Sequence, residues 1–298
     1  GGTGLSDELQ ITDITGSTDL TGMTAFEKVT VVPDYAGSLT ITAYDSNVAA
    51  GGTLTVMGSN MDTIFSPTGS LTFIGSAEID GKFVVTSGNG NDFILVGAGA
   101  DSVTTNNGDD IVFGNAGNDT INAGAGSDLV VGGSGKDSIT GGSGDDQLYG
   151  DEAGPDPLGD ADVIDAGTGS DFIYGGAGAD TINVGLADSN VDTLYYGAVF
   201  ESSGAIVDQV SGFLSGVGGD LINLANLGGP QQFVGNGANF GQSQALLTDG
   251  DSIIDVVFDV ADQLLWVDVN DDGTLNADDL QVHLIGVTAL DAGNLLLA

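Results

Sequence analysis

Aspartate returns every nine residues through the middle of this chain: Asp92, Asp101, Asp110, Asp119, Asp128, Asp137 and Asp146. After a seven-residue insertion the series resumes at Asp162, Asp171 and Asp180. Two residues beyond each stands an aliphatic: Ile94, Val103, Val112, Ile121, Val130, Ile139, Leu148, Ile164, Ile173 and Ile182. Glycine stands two residues before each aspartate, except where Asp160 precedes Asp162. Four before, the residue is again glycine, with Asn106 and Asn115 as substitutes and Leu158 as a misfit. Asparagine tolerates left-handed backbone better than other non-glycine residues, so those two substitutions are mild. Three constraints held together over ten repeats mark a stacked-repeat architecture.

The charge balance narrows the chemistry. The chain carries 43 acidic residues against Lys28, Lys82 and Lys136, with no arginine, for a net charge of −40. Glutamate is confined to Glu8, Glu27, Glu78, Glu152 and Glu201, so nearly all the acid is aspartate. Aspartate is short, suits turns and holds a hard oxygen close to the backbone, which is what a calcium loop needs. A halophile-like or disordered acidic chain is the other reading, but 41% hydrophobic content with regular aliphatic spacing can bury a core. With no basic patch to displace counterions, nucleic acid is excluded as a partner, and anionic membrane surfaces repel the chain. There is no cysteine, so no disulfide staples the fold. No apolar run approaches the ~20 residues of a membrane span, so no membrane insertion is expected. The chain opens Gly1-Gly2-Thr3 without a basic-then-apolar leader, which predicts either a fragment or export by another signal.

Stretches such as Gly132-Gly133-Ser134-Gly135-Lys136-Asp137-Ser138-Ile139 and Gly141-Gly142-Ser143-Gly144-Asp145-Asp146-Gln147-Leu148 resemble the nonapeptide of the RTX (repeats-in-toxin) calcium-binding β-roll proteins, over about residues 87–184. The resemblance implies that each nonapeptide supplies a turn and a short strand, two making one coil of eighteen residues. The glycines then give positive φ, and the aliphatics stack in a narrow interior. It also implies calcium bridging turns on one edge through carbonyls and aspartates eighteen residues apart. One edge would carry Asp92, Asp110, Asp128, Asp146 and Asp171, the other Asp101, Asp119, Asp137, Asp162 and Asp180. About eight ions are implied, with those at the Asp162 turn least secure because Leu158 and Asp160 replace glycines. So thin a core of like-charged turns is not expected to fold without metal. The insertion Asp151–Pro157 is expected to bulge out as a surface loop.

The flanks extend the pattern. Residues 1–86 hold short alternating runs, Leu39-Thr40-Ile41-Thr42, Leu54-Thr55-Val56, Leu71-Thr72-Phe73-Ile74 and Phe83-Val84-Val85. These read as strands of an irregular parallel β-solenoid leading into the roll at 87–188, a separate sandwich being the alternative. Residues 189–298 are expected to form a C-terminal β cap. Asp208-Gln209-Val210-Ser211-Gly212-Phe213 and Gly219-Asp220-Leu221-Ile222-Asn223-Leu224 resemble the cap that follows the roll in RTX proteases. The tail, with Asp291 and Asn294-Leu295-Leu296-Leu297-Ala298, resembles an uncleaved type I secretion signal.

A second metal motif lies in that cap. Asp268, Asn270, Asp272, Thr274 and Asn276 occupy positions 1, 3, 5, 7 and 9 of an EF-hand-type loop, with Gly273 at position 6 and Asp279 at position 12 in place of glutamate. Dockerin modules use a similar loop, but they duplicate it. The flanks, Leu264-Leu265-Trp266-Val267 and Gln281-Val282-His283-Leu284-Ile285, favour a loop joining two strands over a helix–loop–helix. An acidic hairpin without metal is the remaining alternative.

Signatures of catalysis are missing. His283 is the single histidine, which rules out a two-histidine zinc helix, and there is no cysteine nucleophile, Gly-x-Ser-x-Gly elbow or phosphate loop. Calcium-ligating carboxylates must stay ionised, whereas a glycosidase needs one carboxyl with a raised pKa in an apolar pocket. The expectation is therefore an all-β, non-enzymatic, secreted calcium-binding structural protein of a bacterial cell surface (surface layer, adhesin or matrix). It would self-assemble or join other surface components and leave the cell through type I secretion machinery. The alternative is the calcium-folding and export module of a larger extracellular enzyme.

Overall fold

The structure is a computed structural model that describes residues 8–11, 16–19, 28–31, 39–44, 48, 52–57, 69–152, 159–185, 190–198, 201–202, 207–216, 218–227, 229–244, 246–247 and 253–298. Most of the insertion after Asp151, together with Leu158, lies outside the described residues. The chain divides into two compact units, Gly1–Gln147 and Leu148–Ala298.

In the first unit the chain alternates between two sheets. One is built, in spatial order, from β1 (Glu8–Ile11), β3 (Lys28–Val31), β5 (Thr53–Met57), β7 (Lys82–Thr86), β9 (Ser102–Thr104), β11 (Thr120–Ala125) and β13 (Ser138–Ser143). The other is built from β2 (Gly16–Asp19), β4 (Leu39–Tyr44), β6 (Leu71–Ala77), β8 (Phe93–Leu95), β10 (Ile111–Phe113) and β12 (Leu129–Val131). Successive strands of each sheet pair in parallel. This is a parallel β-solenoid, and the described strands of residues 1–86 are part of it rather than of a separate sandwich.

The coils tighten along the chain. Val29 pairs with Val56 and Ile41 with Phe73, 27 and 32 residues on. Val85 pairs with Val103, and from there the coil holds eighteen residues, as Val103 with Ile121 and Ile121 with Ile139. The wide early coils need bulk: Phe73 and Phe83 meet edge to face at 4.9 Å between ring centres. The narrow coils take one aliphatic per strand, and Ile94, Val103, Val112, Ile121, Val130 and Ile139 are all buried. Burying each contributes roughly 1.5–3 kcal/mol, little for a coil whose backbone is mostly turn.

The turns explain the glycine and asparagine pattern. Asn106 and Asn115 adopt φ of 71° and 65°, while Gly124, Gly133 and Gly142 hold the same place at 105–118°. Closeness matters as much as φ: a Cβ on Gly126 would lie 1.8 Å from the carbonyl oxygen of Gly108, one coil back.

The outward faces differ. Between coils, one sheet shows Phe93, Leu95, Ile111, Phe113, Leu129 and Val131, and the other shows Ser102, Thr104, Thr120, Asn122, Ser138 and Thr140. Ile111 is 37% exposed and the Phe93 and Phe113 rings stack loosely at 6.1 Å.

The second unit begins within β14 (Gln147–Tyr149). One sheet runs β15 (Val163–Thr168), β17 (Thr181–Asn183), β19 (Asp208–Ser211), β24 (Leu280–Leu284), β23 (Leu264–Asp268), β22 (Ile254–Asp259), β21 (Gln231–Gly237). The first four strands are parallel, and β22–β24 form an antiparallel meander. The other sheet, all parallel, contains β16 (Phe172–Tyr174), β18 (Thr193–Tyr195), β20 (Leu221–Asn223) and β25 (Leu295–Leu296). A short helix, α1 (Phe240–Gln244), packs on β21. Among the described residues no helix is long and apolar enough to cross a membrane.

Candidate metal-binding ladders

Each repeat aspartate sits at the end of a turn, just before its strand, and its carboxylate reaches back one coil. Oδ1 of Asp110 accepts the backbone N–H of Asp92 at 2.7 Å, and Asp128 and Asp146 accept those of Asp110 and Asp128 at 2.8 and 2.9 Å. On the opposite edge, Asp119 and Asp137 accept the N–H groups of Asp101 and Asp119 at 2.7 and 2.8 Å. The second unit repeats the pattern with Asp180 on Asp162, and Asp192 on Asp171, both at 2.9 Å. Within each unit the aspartates thus fall on the two edges that the eighteen-residue spacing assigns.

The other carboxylate oxygen is the informative one. Oδ2 of Asp119, Asp128 and Asp180 is buried and has no hydrogen-bond donor. A buried charged oxygen left unsatisfied is costly, and native structures rarely tolerate a row of them. The cost shows in the titration behaviour. Burial pushes Asp110 up to about 8, Asp119 and Asp180 to about 7 and Asp128 to about 6, against the lowering effect of the backbone N–H each accepts. Neighbouring carboxylates along the edge add to the rise, as Asp92 does for Asp110.

A divalent, oxygen-seeking cation relieves both problems. A Cβ on Gly114 would clash with the Gly132 carbonyl oxygen at 2.3 Å and with Asp119 Oδ2 at 2.5 Å, so only glycine lets a carbonyl and a carboxylate oxygen draw together here. A Cβ on Gly150 would likewise clash with the Gly175 carbonyl oxygen at 2.3 Å and Asp162 Oδ2 at 2.4 Å. Carbonyls and carboxylates are calcium's usual ligands. Glycine leaves room at these points and also brings its neighbours' carbonyls in. Among the described residues no three acidic or imidazole side chains converge on one point. A ladder that offers acids from neighbouring coils and completes the shell with carbonyls has no need of such a cluster.

The first residue of the insertion braces the turn before Asp180, one coil beyond the Asp162 turn. Asp151 Oδ2 accepts the N–H of Ala177 at 2.9 Å and its side chain fills the space beside Gly176.

The ladders also run past the nonapeptides. Asp208 Oδ1 accepts the N–H of Asp180 at 2.9 Å, and Asp220 Oδ1 that of Asp192 at 3.1 Å. Sequence reasoning missed Asp192, Asp208 and Asp220 because it followed the period of nine, which lapses there. The surviving signal was local: Asp192-x-Leu194, Asp208-x-Val210 and Asp220-x-Ile222 keep the aspartate and the buried aliphatic two residues on.

The C-terminal loop joins β23 to β24, two antiparallel strands, as the flanking residues predict. Its side-chain oxygens are largely turned onto its own amides. Asp268 accepts the N–H of Gly273 at 2.9 Å and of Asp272 at 3.3 Å. Asp272 accepts that of Thr274 and Asp279 that of Asn276, both at 2.8 Å. Asn270 accepts from Asp272, and Asn276 from Asp278. Asp271 and Gly273 take φ of 51° and 69° to make the bend. Of the first and last acids, one oxygen is left over: Asp279 Oδ1 is buried without a donor, and burial raises this carboxyl to about 6. Asp268, also buried, is raised for the same reason. The arrangement is an EF-hand-like turn whose fully buried first and last acids leave one free oxygen for a cation.

Fold and ladders together define a parallel β-solenoid whose turns are shaped for calcium. Residues 86–121, 122–153 and 158–191 match the family model of the RTX calcium-binding nonapeptide repeat (4 copies), so the middle of the chain is built of RTX calcium-binding repeats. No curated protein matches the chain.

Proposed function

We propose that the chain is a secreted structural protein of a bacterial cell surface, folded by calcium outside the cell and assembled there with further copies of itself. The observation that carries this reading is the buried carboxylate oxygen without a donor at each of Asp119, Asp128 and Asp180, which makes the metal-free coil unfavourable and the calcium-loaded one favourable. A polypeptide of this design leaves a low-calcium cytoplasm unfolded, as type I export requires, and folds where calcium is plentiful. The RTX repeats support that route, and no catalytic role is part of the proposal.

Assembly is favoured by the outward apolar face of the first unit. Phe93, Leu95, Ile111, Phe113, Leu129 and Val131 form an uncharged strip on a molecule of net charge −40. Such a strip is unusual on a soluble acidic surface and suits contact with a second copy once calcium has lowered the charge of the turns. The second reading, an export and folding module for a larger enzyme, shares the calcium mechanism but gives this face no task.

Circular dichroism with light scattering during a calcium titration of the chelated protein tests both. A cooperative gain of β signal followed by large, ordered particles supports the surface protein. Folding that stops at the monomer favours the module, and a full β signal in excess chelator at about pH 8 removes the calcium switch altogether.

A further inference from the structure

The last rungs of both ladders are chemically unlike the middle ones. Asp119, Asp128 and Asp180 each give one oxygen to a backbone N–H and leave the other buried without a donor. At Asp208 both oxygens are taken: Oδ1 by the N–H of Asp180 and Oδ2 by the hydroxyl of Tyr196 at 2.8 Å. At Asp220, Oδ1 takes the N–H of Asp192 and Oδ2 that of Leu214 at 2.6 Å. On one edge the entry rung is built alike, since Asp101 takes the N–H groups of Phe83 at 2.7 Å and Gly97 at 3.1 Å.

The backbone groups of the last rungs are closed too. The N–H of Asp208, which in an earlier coil would meet the next aspartate, meets Ser202 Oγ at 2.8 Å, and that hydroxyl donates to the carbonyl of Gln281. The carbonyl of Asp220 is held by Asn294 Nδ2 at 2.9 Å.

We propose that Asp208 and Asp220 are terminal rungs closed by protein donors, which hold the coil-to-coil register without calcium and so end ion uptake at the exit of the roll. The inference rests on the calcium reading of the ladder given above. An N–H or O–H aimed at Oδ2 brings a positive hydrogen to the side of the oxygen that a cation would use. For calcium to enter at Asp208, the Tyr196 hydroxyl would have to be left buried with no partner, a loss that bulk water cannot make good. Burial beside Asp208 holds the Tyr196 hydroxyl well above the ordinary tyrosine range, so it stays a donor. A stack of coils that needs calcium at every rung would expose an unfinished, sticky edge at its last coil. Rungs of this kind finish the edge with groups the chain carries itself.

The test is the amount of calcium retained by the full chain after gel filtration in calcium buffer, read by atomic emission and compared across single variants. Asp119→Asn removes a donor-free oxygen and is expected to lose about one or two ions. Asp208→Asn and Asp220→Asn keep the Oδ1 acceptor and are expected to lose none. Loss from either of them equal to that of Asp119→Asn overturns the proposal. Tyr196→Phe leaves the carboxylate in place and guards against a variant that fails to fold. An unchanged or higher ion count supports the proposal, and a lower one counts against it. A parent chain that retains no calcium would sink the calcium reading itself, a result distinct from any difference between variants.

Discussion

The backbone N–H of Asp101 donates to Oδ1 of Asp119 in the next coil at 2.7 Å, while Oδ2 of the same carboxylate stays buried without a donor. One side chain thus does two jobs. It fixes the register between coils through a neutral donor, and it holds a charged oxygen where only a cation or a proton can satisfy it.

The pH dependence of the metal-free chain should therefore run opposite to ordinary acid denaturation. Folding raises Asp110 to about 8, Asp119 and Asp180 to about 7 and Asp128 to about 6, from 3.8 in the unfolded chain. Between these limits the folded state binds more protons than the unfolded one, so stability is present at low pH and lost as pH rises through the folded values. In chelator, β signal is expected near pH 5 and should fade towards pH 8, as circular dichroism will show. A metal-free chain that instead gains structure with rising pH would contradict the burial of these groups.

Replacing one inner carboxylate should have opposite signs in the two states. Asp128→Asn keeps an acceptor for Asp110 N–H but removes a buried charge. It is expected to stabilise the chelated form near pH 6 by about 1–3 kcal/mol and to destabilise the calcium-saturated form by a similar amount. Urea midpoints in chelator and in calcium measure both, and a change of the same sign in each would mean that the charge has no metal to serve.

Turn packing gives a sharper contrast between two positions. Gly126 has φ of 138° and its added Cβ would lie 1.8 Å from a carbonyl oxygen, so Gly126→Ala should cost more than about 2 kcal/mol even in saturating calcium. Asn115 sits at φ 65° and donates from Nδ2 to the Val96 carbonyl at 2.6 Å. Asn115→Gly gains backbone ease and loses one hydrogen bond, for a net change of about 1 kcal/mol or less. Thermal melts of the two variants side by side decide the matter.

The C-terminal loop can be followed separately, because the single tryptophan, Trp266, lies two residues before Asp268 in β23. Terbium added in place of calcium should give emission on tryptophan excitation, and Asp268→Ala or Asp279→Asn should abolish it. Emission that survives both substitutions would leave the loop as an acidic turn without metal.

Much of this was legible in the residues. The aspartate period and the aliphatic two residues on named the inner rungs and the core column, because a repeating coil imposes one spacing on both. The loop between β23 and β24 was legible for a different reason, since its flanks lack helix character. What escaped was whatever depended on long-range closure. Asp208 and Asp220 lie beyond the period, and the partners that complete them, Tyr196 and Leu214, share no motif with them. The same holds for the rings of Tyr149, Phe172, Tyr174 and Tyr195. They come from three neighbouring strands and pack at 5.6–6.2 Å on one outward face of the second unit, where alternation turns Tyr195 outward and Tyr196 inward.

The backward reach of each carboxylate gives the rungs an arrow. Asp119 hooks onto Asp101 and Asp137 hooks onto Asp119, never the reverse. Cutting coils away from the N-terminal side would strand a carboxylate with no amide to hold, whereas cutting from the C-terminal side would strand an amide with no carboxylate. A coil is therefore finished by its successor, and a chain interrupted part-way through the stack leaves its youngest coil unhooked.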